Sequence, residues 1–315
     1  MLPEGWKVGA KEYTCPKGRE YTRVSTVCDA IGRIQGDGLV YAGAEWAAQK
    51  AHEILGTWFV DGVIHPAASG FKGPVNEWLA TPECRAIISG AAKSRQQACA
   101  DRGTLVDSLW QHMLTADPFM SPSEAVEWCG SELSSWREQS KLDWKTFLQA
   151  KEQGLVTDEA KPPRGPQCSI DDVAPYAESL AVWQGTEGLF TPKGLQVFLA
   201  DDKSLVAGTA DGIGEWCGAP AVVDLKTSTN GAPTSGHRAQ LAKYHEMFCR
   251  VGGIPPSSVR PYVVIVTPKG VSPRALSDQG IKDGLKDFAD ALAVIRRASM
   301  KGSFMTTRAT KGGAA

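Results

Sequence analysis

The sequence predicts an α/β protein with a central mixed β-sheet flanked by helices, a mainly helical region over 1–100 and a helical insertion over 117–168. Three stretches carry that expectation. Residues 205–213 and 221–226 are two extended pieces joined through the turn-rich hexapeptide 215–220 (EWCGAP), where Gly and Pro mark a hairpin reversal. Residues 262–266 (YVVIV) form an unbroken apolar run, as expected of a strand buried on both faces. Ile281, Leu285, Phe288, Leu292 and Ile295 recur at alternating four- and three-residue steps, the pattern of a helix packed on a core.

The remaining elements follow in order. Residues 1–40 mix Gly, charge and short β-like pieces, and 43–52, around Trp46, reads as a packing helix. Residues 61–75, rich in Gly and Pro, read as a loop, and 77–100 as largely helical despite Pro82. Helix continues through 101–114. Ser121-Pro122-Ser123-Glu124 is a capping pattern that opens another. Val126, Cys129, Leu133 and Trp136 recur along it at helical spacing, and Trp144, Phe147 and Leu148 extend the stripe. Such a stripe reads as core rather than as a platform for bases. Residues 161–166 (KPPRGP) read as a linker between this insertion and a catalytic core over 169–300. A helix over 171–183 and a first strand over 195–199 come next. The helix over 237–250 carries Gln240 and Tyr244 on one face. Residues 301–315 end the single expected domain as a basic tail.

Composition narrows the function classes. In 315 residues, 42% hydrophobic content and ten tryptophans suffice for a sizeable core. A net charge of −1 means that any polyanionic partner must be met by a local groove, not by a global field. Eight cysteines without a CxxC pair, behind an N-terminus lacking a signal-like apolar region, point to reduced thiols and a cytoplasmic setting. No run approaches a membrane span. The glycines over 208–218 lack the spacing of a phosphate loop and lead into a strand.

The chemistry concentrates in the hairpin. Side chains alternate across a strand, so Asp224 and Lys226 share a face while Val223 and Leu225 take the other. Asp211 supplies a second carboxylate at the same end. Charges on an otherwise apolar strand are costly unless they pair or hold a metal. Two carboxylates and an ammonium on one spot suit a divalent cation.

The motifs Gly208-Thr209-Ala210-Asp211, Asp224-Leu225-Lys226-Thr227-Ser228 and Gln240-Leu241-Ala242-Lys243-Tyr244 occur in that order. Together they resemble the PD-(D/E)xK nuclease superfamily in its RecB-like branch, and bacteriophage exonucleases related to the CRISPR-adaptation nucleases in particular. The resemblance runs from about residue 102 to 266, with a weaker echo at 21–27. It implies a restriction-endonuclease-like core and a deoxyribonuclease that trims DNA ends in recombination or replication. It also implies Mg²⁺ or Mn²⁺ held by Asp211, Asp224 and the Leu225 carbonyl, with Lys226 catalytic. Arg102, Thr209, Gln240 and Tyr244 would contact DNA or support the site. The family's helical histidine is replaced here by Asp107, an oxygen ligand suited to the same cation. Gln196 stands where relatives often place a glutamate. No iron–sulfur cluster is expected, since only Cys249 lies beyond the hairpin. The partners implied are DNA and a single-strand annealing or recombination protein. An endonuclease on the same centre and a non-catalytic DNA-end-binding or scaffold protein are the alternatives.

Overall fold

A computed structural model of the chain describes residues 2–9, 12–35, 59–60, 63–64, 82–156, 162–229 and 231–310. The helix expected over 43–52 and most of the loop expected over 61–75 lie outside the described residues. In chain order the elements are β1 (Lys7–Val8), β2 (Glu12–Thr14), β3 (Glu20–Arg23), α1 (Val24–Gln35), β4 (Phe59–Val60), β5 (Val63–Ile64), α2 (Pro82–Thr115) and α3 (Pro122–Glu152). They continue as α4 (Ile170–Glu187), β6 (Phe190–Asp201), β7 (Val206–Trp216), β8 (Ala219–Thr227), α5 (Ser235–Gly252), β9 (Arg260–Thr267), β10 (Gly270–Ala275) and α6 (Asp278–Thr310). Among the described residues no helix is long and apolar enough to cross a membrane.

The chain divides into two compact units. One comprises Met1–Asp37, Trp110–Pro122 and Glu178–Ala315, the other Gly38–Leu109 and Ser123–Ala177. The divisions fall inside α2 and α4, so the linker expected at 161–166 lies within the second unit.

The first unit is a mixed sheet between helices, with strand order β1-β2-β3-β7-β8-β9-β10 and β6 paired to β7. β7 is its pivot. Along one side it runs antiparallel to β6. Along the other it meets β3 in parallel at Thr22↔Val206 and Arg23↔Ala207, then β8 antiparallel from Gly212↔Val223 to Trp216↔Ala219. β8 and β9 are parallel, with α5 as the crossover between them. The N-terminal residues expected as a helical elaboration thus begin as three strands, and the third joins the main sheet. Segment 21–27 is strand only as far as Arg23, after which α1 starts.

The hairpin is tighter than its composition suggests. Instead of a six-residue turn, Cys217 (φ 49°) and Gly218 (φ 78°) alone connect β7 to β8. Positive φ at both central positions matches the twist of the flanking strands. On one face of the sheet, Val24, Val27 and Ile31 of α1, Leu241 and Met247 of α5, and Phe288 and Leu292 of α6 close over Val222, Val263 and Ile265. Elsewhere in this unit an aromatic stack forms, with Trp216 lying 4.5 Å from Tyr262 and 6.1 Å from Trp183, and Trp110 lying 5.6 Å from Phe190.

Pro82 opens α2 and Pro122, the last residue of a first-unit segment, opens α3, a position where proline's missing N–H costs nothing. Of the predicted stripe, Cys129 and Leu133 are buried while Val126 and Trp136 are half-buried, and Ala125 joins the buried side. The stripe does not continue as core, because Trp144 and Leu148 are each 43% exposed. Periodicity identifies an apolar face but not whether anything covers it, and this helix runs beyond its cover.

Candidate metal centre

The β7–β8 ladder ends at Gly212↔Val223. One further step of that register would set Asp211 opposite Asp224, but there the strands part. The Asp211 carboxylate takes over, accepting the Leu225 backbone N–H at Oδ2 over 2.9 Å. Asp224 is fully buried on β8. The Lys226 ammonium lies 2.8 Å from Asp224 Oδ2 and 3.8 Å from Asp211 Oδ2, and donates to the Leu225 carbonyl at 3.2 Å. The residues expected to converge therefore do.

What aims Asp211 is a change of face that alternation alone does not reveal. A side chain on Gly208 would meet Tyr244 and Val24, whereas one on Gly212 would meet Phe190 and Trp110. Four residues apart on a regular strand, the two positions should face the same way. β7 therefore switches faces between them, at Asp211. Across the ladder, Val197 pairs with Ala210 and Leu195 with Gly212, which leaves Gln196 beside Asp211. Gln196 has φ 49°, left-handed backbone that a residue with a Cβ rarely adopts inside a strand. The accessory position expected of Gln196 is thus the irregular partner of the aspartate. Irregularities of this kind re-aim a side chain at the cost of regular pairing.

The electrostatics follow from two carboxylates facing one ammonium. Burial pushes the Asp211 carboxyl up to about 7; Lys226 pulls it down, and the neighbouring Asp224 charge raises it again. The Leu225 N–H works for the ionised form.

α5 supplies the wall. Its first turn is held by a capping box in which the Thr234 side chain accepts the His237 N–H and the His237 ring accepts the Thr234 N–H. Two turns on, the Gln240 amide donates to the Tyr244 hydroxyl at 3.4 Å. Tyr244 is buried, and burial raises its hydroxyl well above the ordinary range; Gln240 opposes that, while Asp224 and Asp211 add to it. Gly208 of the first motif exists to admit this ring, since a Cβ there would sit 2.7 Å from the Tyr244 oxygen. The first and third motifs are therefore two sides of one contact.

Other candidates fall elsewhere. Thr209 pairs with Phe198, whose ring lies 4.9 Å from Trp6 and 5.2 Å from Tyr13. Paired residues share a face, so Thr209 lies on the face away from Tyr244 and does not support the site from that side. Arg102 is buried in the second unit with its guanidinium 4.3 Å from the centre of the Tyr176 ring, a packing role rather than a DNA contact. Asp107 also belongs to the second unit, half-buried on α2, and its expected ligand role rests on the resemblance alone.

Cys28 of α1 went unnoticed in the sequence. It is buried, and its thiol is raised by burial first and then by Asp224 and Asp29, with Lys226 opposing. The available signal was its spacing, four residues after Val24 on the apolar side of an amphipathic helix.

A divalent cation fits this donor set. Asp211, Asp224 and the Leu225 carbonyl are hard oxygen donors, the class that Mg²⁺ and Mn²⁺ take. Among the described residues no group of three or more His, Cys, Asp or Glu side chains gathers, so a bound ion would complete its shell with water and substrate oxygens. At this buried spot two carboxylates face a single ammonium.

No known protein-family profile matches the chain, and no curated protein does. Among solved structures, the crystal structure of SSO0001 is similar over 59% of this chain and 83% of its own, at 15% identity and a TM-score of 0.24. A likeness of that size bears on neither fold nor function.

Proposed function

We propose that the chain is a divalent-metal-dependent deoxyribonuclease that hydrolyses phosphodiester bonds at DNA ends. One observation carries the reading: Asp211, Asp224, Lys226 and the Leu225 carbonyl meet where β7 and β8 part, with the Lys226 ammonium 2.8 Å from one carboxylate and 3.8 Å from the other. Asp211, Asp224 and the Leu225 carbonyl would hold the cation. When bound, it supplies Lewis acidity that draws charge from phosphate oxygens and makes water a stronger nucleophile. Lys226, partly exposed, offsets charge on the phosphate and orients the attacking water through its N–H donors. Tyr244, packed against Gly208 and receiving a hydrogen bond from Gln240, is close enough to feel the charges of Asp224 and Asp211 and supports the site from α5. The preference for ends comes from the resemblance to phage exonucleases in the three motifs.

The test is cleavage of end-labelled linear and closed circular DNA by the purified chain with Mg²⁺, Mn²⁺ or chelator. Metal-dependent shortening of the linear substrate is expected. Asp224→Ala and Asp211→Ala should fold and lose at least ~10³-fold in rate, about 4 kcal/mol of barrier. Near-normal cleavage by either folded variant would remove the assignment. Cutting of the closed circle would make the enzyme an endonuclease, and end binding without cleavage a scaffold.

A further inference from the structure

The second unit carries a groove of about 790 Å³ between the later turns of α3 and the segment 163–165. Four cationic side chains, Arg137, Lys141, Lys145 and Arg164, line it against one carboxylate, Glu138. Trp144 lies among them, 43% exposed, with its ring 6.2 Å from that of Phe147. Arg137, Lys141 and Lys145 recur every four residues and so follow one side of the helix. Arg137 is anchored by donating to the Cys168 carbonyl at 3.0 Å. Along α3, residues 122–136 hold Glu124, Glu127 and Glu132 and no basic residue, whereas 137–152 hold Arg137, Lys141, Lys145 and Lys151 beside Glu138, Asp143 and Glu152, so the basic side chains belong to the later half alone. In a chain of net charge −1, this is a local concentration of positive charge around an exposed aromatic face.

We infer that this groove binds single-stranded DNA. Cations in a row meet successive phosphates, and an exposed indole between them offers a surface on which an unpaired base stacks. An acidic peptide would use the cations but not the indole. A duplex hides its base faces, so it would gain from the charges alone.

Binding of a fluorescent oligo-dT to the full chain in chelator, followed by anisotropy across a salt series, tests the inference without cleavage. Lys141→Glu/Lys145→Glu should weaken binding at least tenfold at low salt and lower the slope of log K against log salt by about 1.4, two phosphate contacts' worth. Trp144→Ala should weaken it about fivefold or more with the slope unchanged. If the charge reversal impairs folding, Lys141→Gln/Lys145→Gln should give the same slope change with a smaller loss. Isotherms that superimpose on the parent's, or equal displacement by polyglutamate and by oligo-dT, would overturn the groove. The nuclease reading is judged separately: loss of metal-dependent cleavage in Asp224→Ala with the groove's binding intact supports both, and an inert parent with groove-dependent binding keeps the groove alone.

Discussion

A methyl group on Gly208 would sit 2.7 Å from the Tyr244 hydroxyl, 2.9 Å from its ring and 3.1 Å from the Val24 side chain. Both residues are buried and packed, so neither can move away freely. Gly208→Ala should therefore cost about 1–3 kcal/mol, the usual price of overpacking, measured as a lower urea midpoint at unchanged slope. It should also slow cleavage, because displacing Tyr244 disturbs the wall beside Asp211 and Asp224. An unchanged midpoint would show that the ring is not held against the strand. At this scale the sequence was informative. The spacing of Asp211, Asp224 and Lys226 is enough to foresee that a hairpin brings them to one end, but not the change of face on β7 that aims Asp211. Cys28 was not legible, because its neighbours come from elements far away in the chain.

Among the elements, β6 and α5 are tied by a buried pair. Lys243 of α5 lies 2.7 Å from Asp201 Oδ2 at the end of β6, both residues 4% exposed, and Arg250 and Ser204 also reach that carboxylate. Burial works to raise the Asp201 carboxyl, but the hydrogen bonds from Lys243 and Ser204 and the Lys243 charge outweigh it and hold the group well below the usual carboxylate range. A carboxyl depressed in the folded state contributes stability above its unfolded pKa of about 4, and loses that contribution as pH falls toward the folded value. Asp201→Asn leaves the Lys243 ammonium buried with Glu246 as its remaining carboxylate partner, 2.7 Å away. It should cost about 3 kcal/mol at pH 7 and less at pH 3, read from urea unfolding at both pH values. An equal loss at both would mean that the pair's charge does not matter. The sequence placed a strand at 195–199, but β6 runs from Phe190 to Asp201. The left-handed residue Gln196 interrupts its alternation, and the expected strand covered only the five residues around it.

For the molecule as a whole, the proposed centre belongs to one of two compact units and the proposed strand groove to the other. Mg²⁺ at a hundred times its Kd should slow hydrogen exchange of β7 and β8 amides up to about hundredfold, where exchange requires the first unit to unfold. Asp224→Ala should abolish that protection. Amides of α3 should change less, and equal protection of both units would indicate that they unfold together. The α/β class was legible because helix and strand periodicities are local. The division into units was not. It depends on α2 and α4 each contributing to both, and the Pro-rich stretch at 162–166, the clearest break in composition, is not a boundary.

The change of face at Asp211 constrains how the sequence can vary. On β7, the residues before Asp211 and those after it meet different packing surfaces, as Gly208 and Gly212 do. Replacing a side chain disturbs one surface. Deleting or inserting one residue between 208 and 212 would move every later side chain of the strand to the wrong side, with no regular stretch in which to absorb the slip. Homologous chains should therefore differ freely in residue type across this segment while keeping its length, and changes in length should collect at the ends of the hairpin.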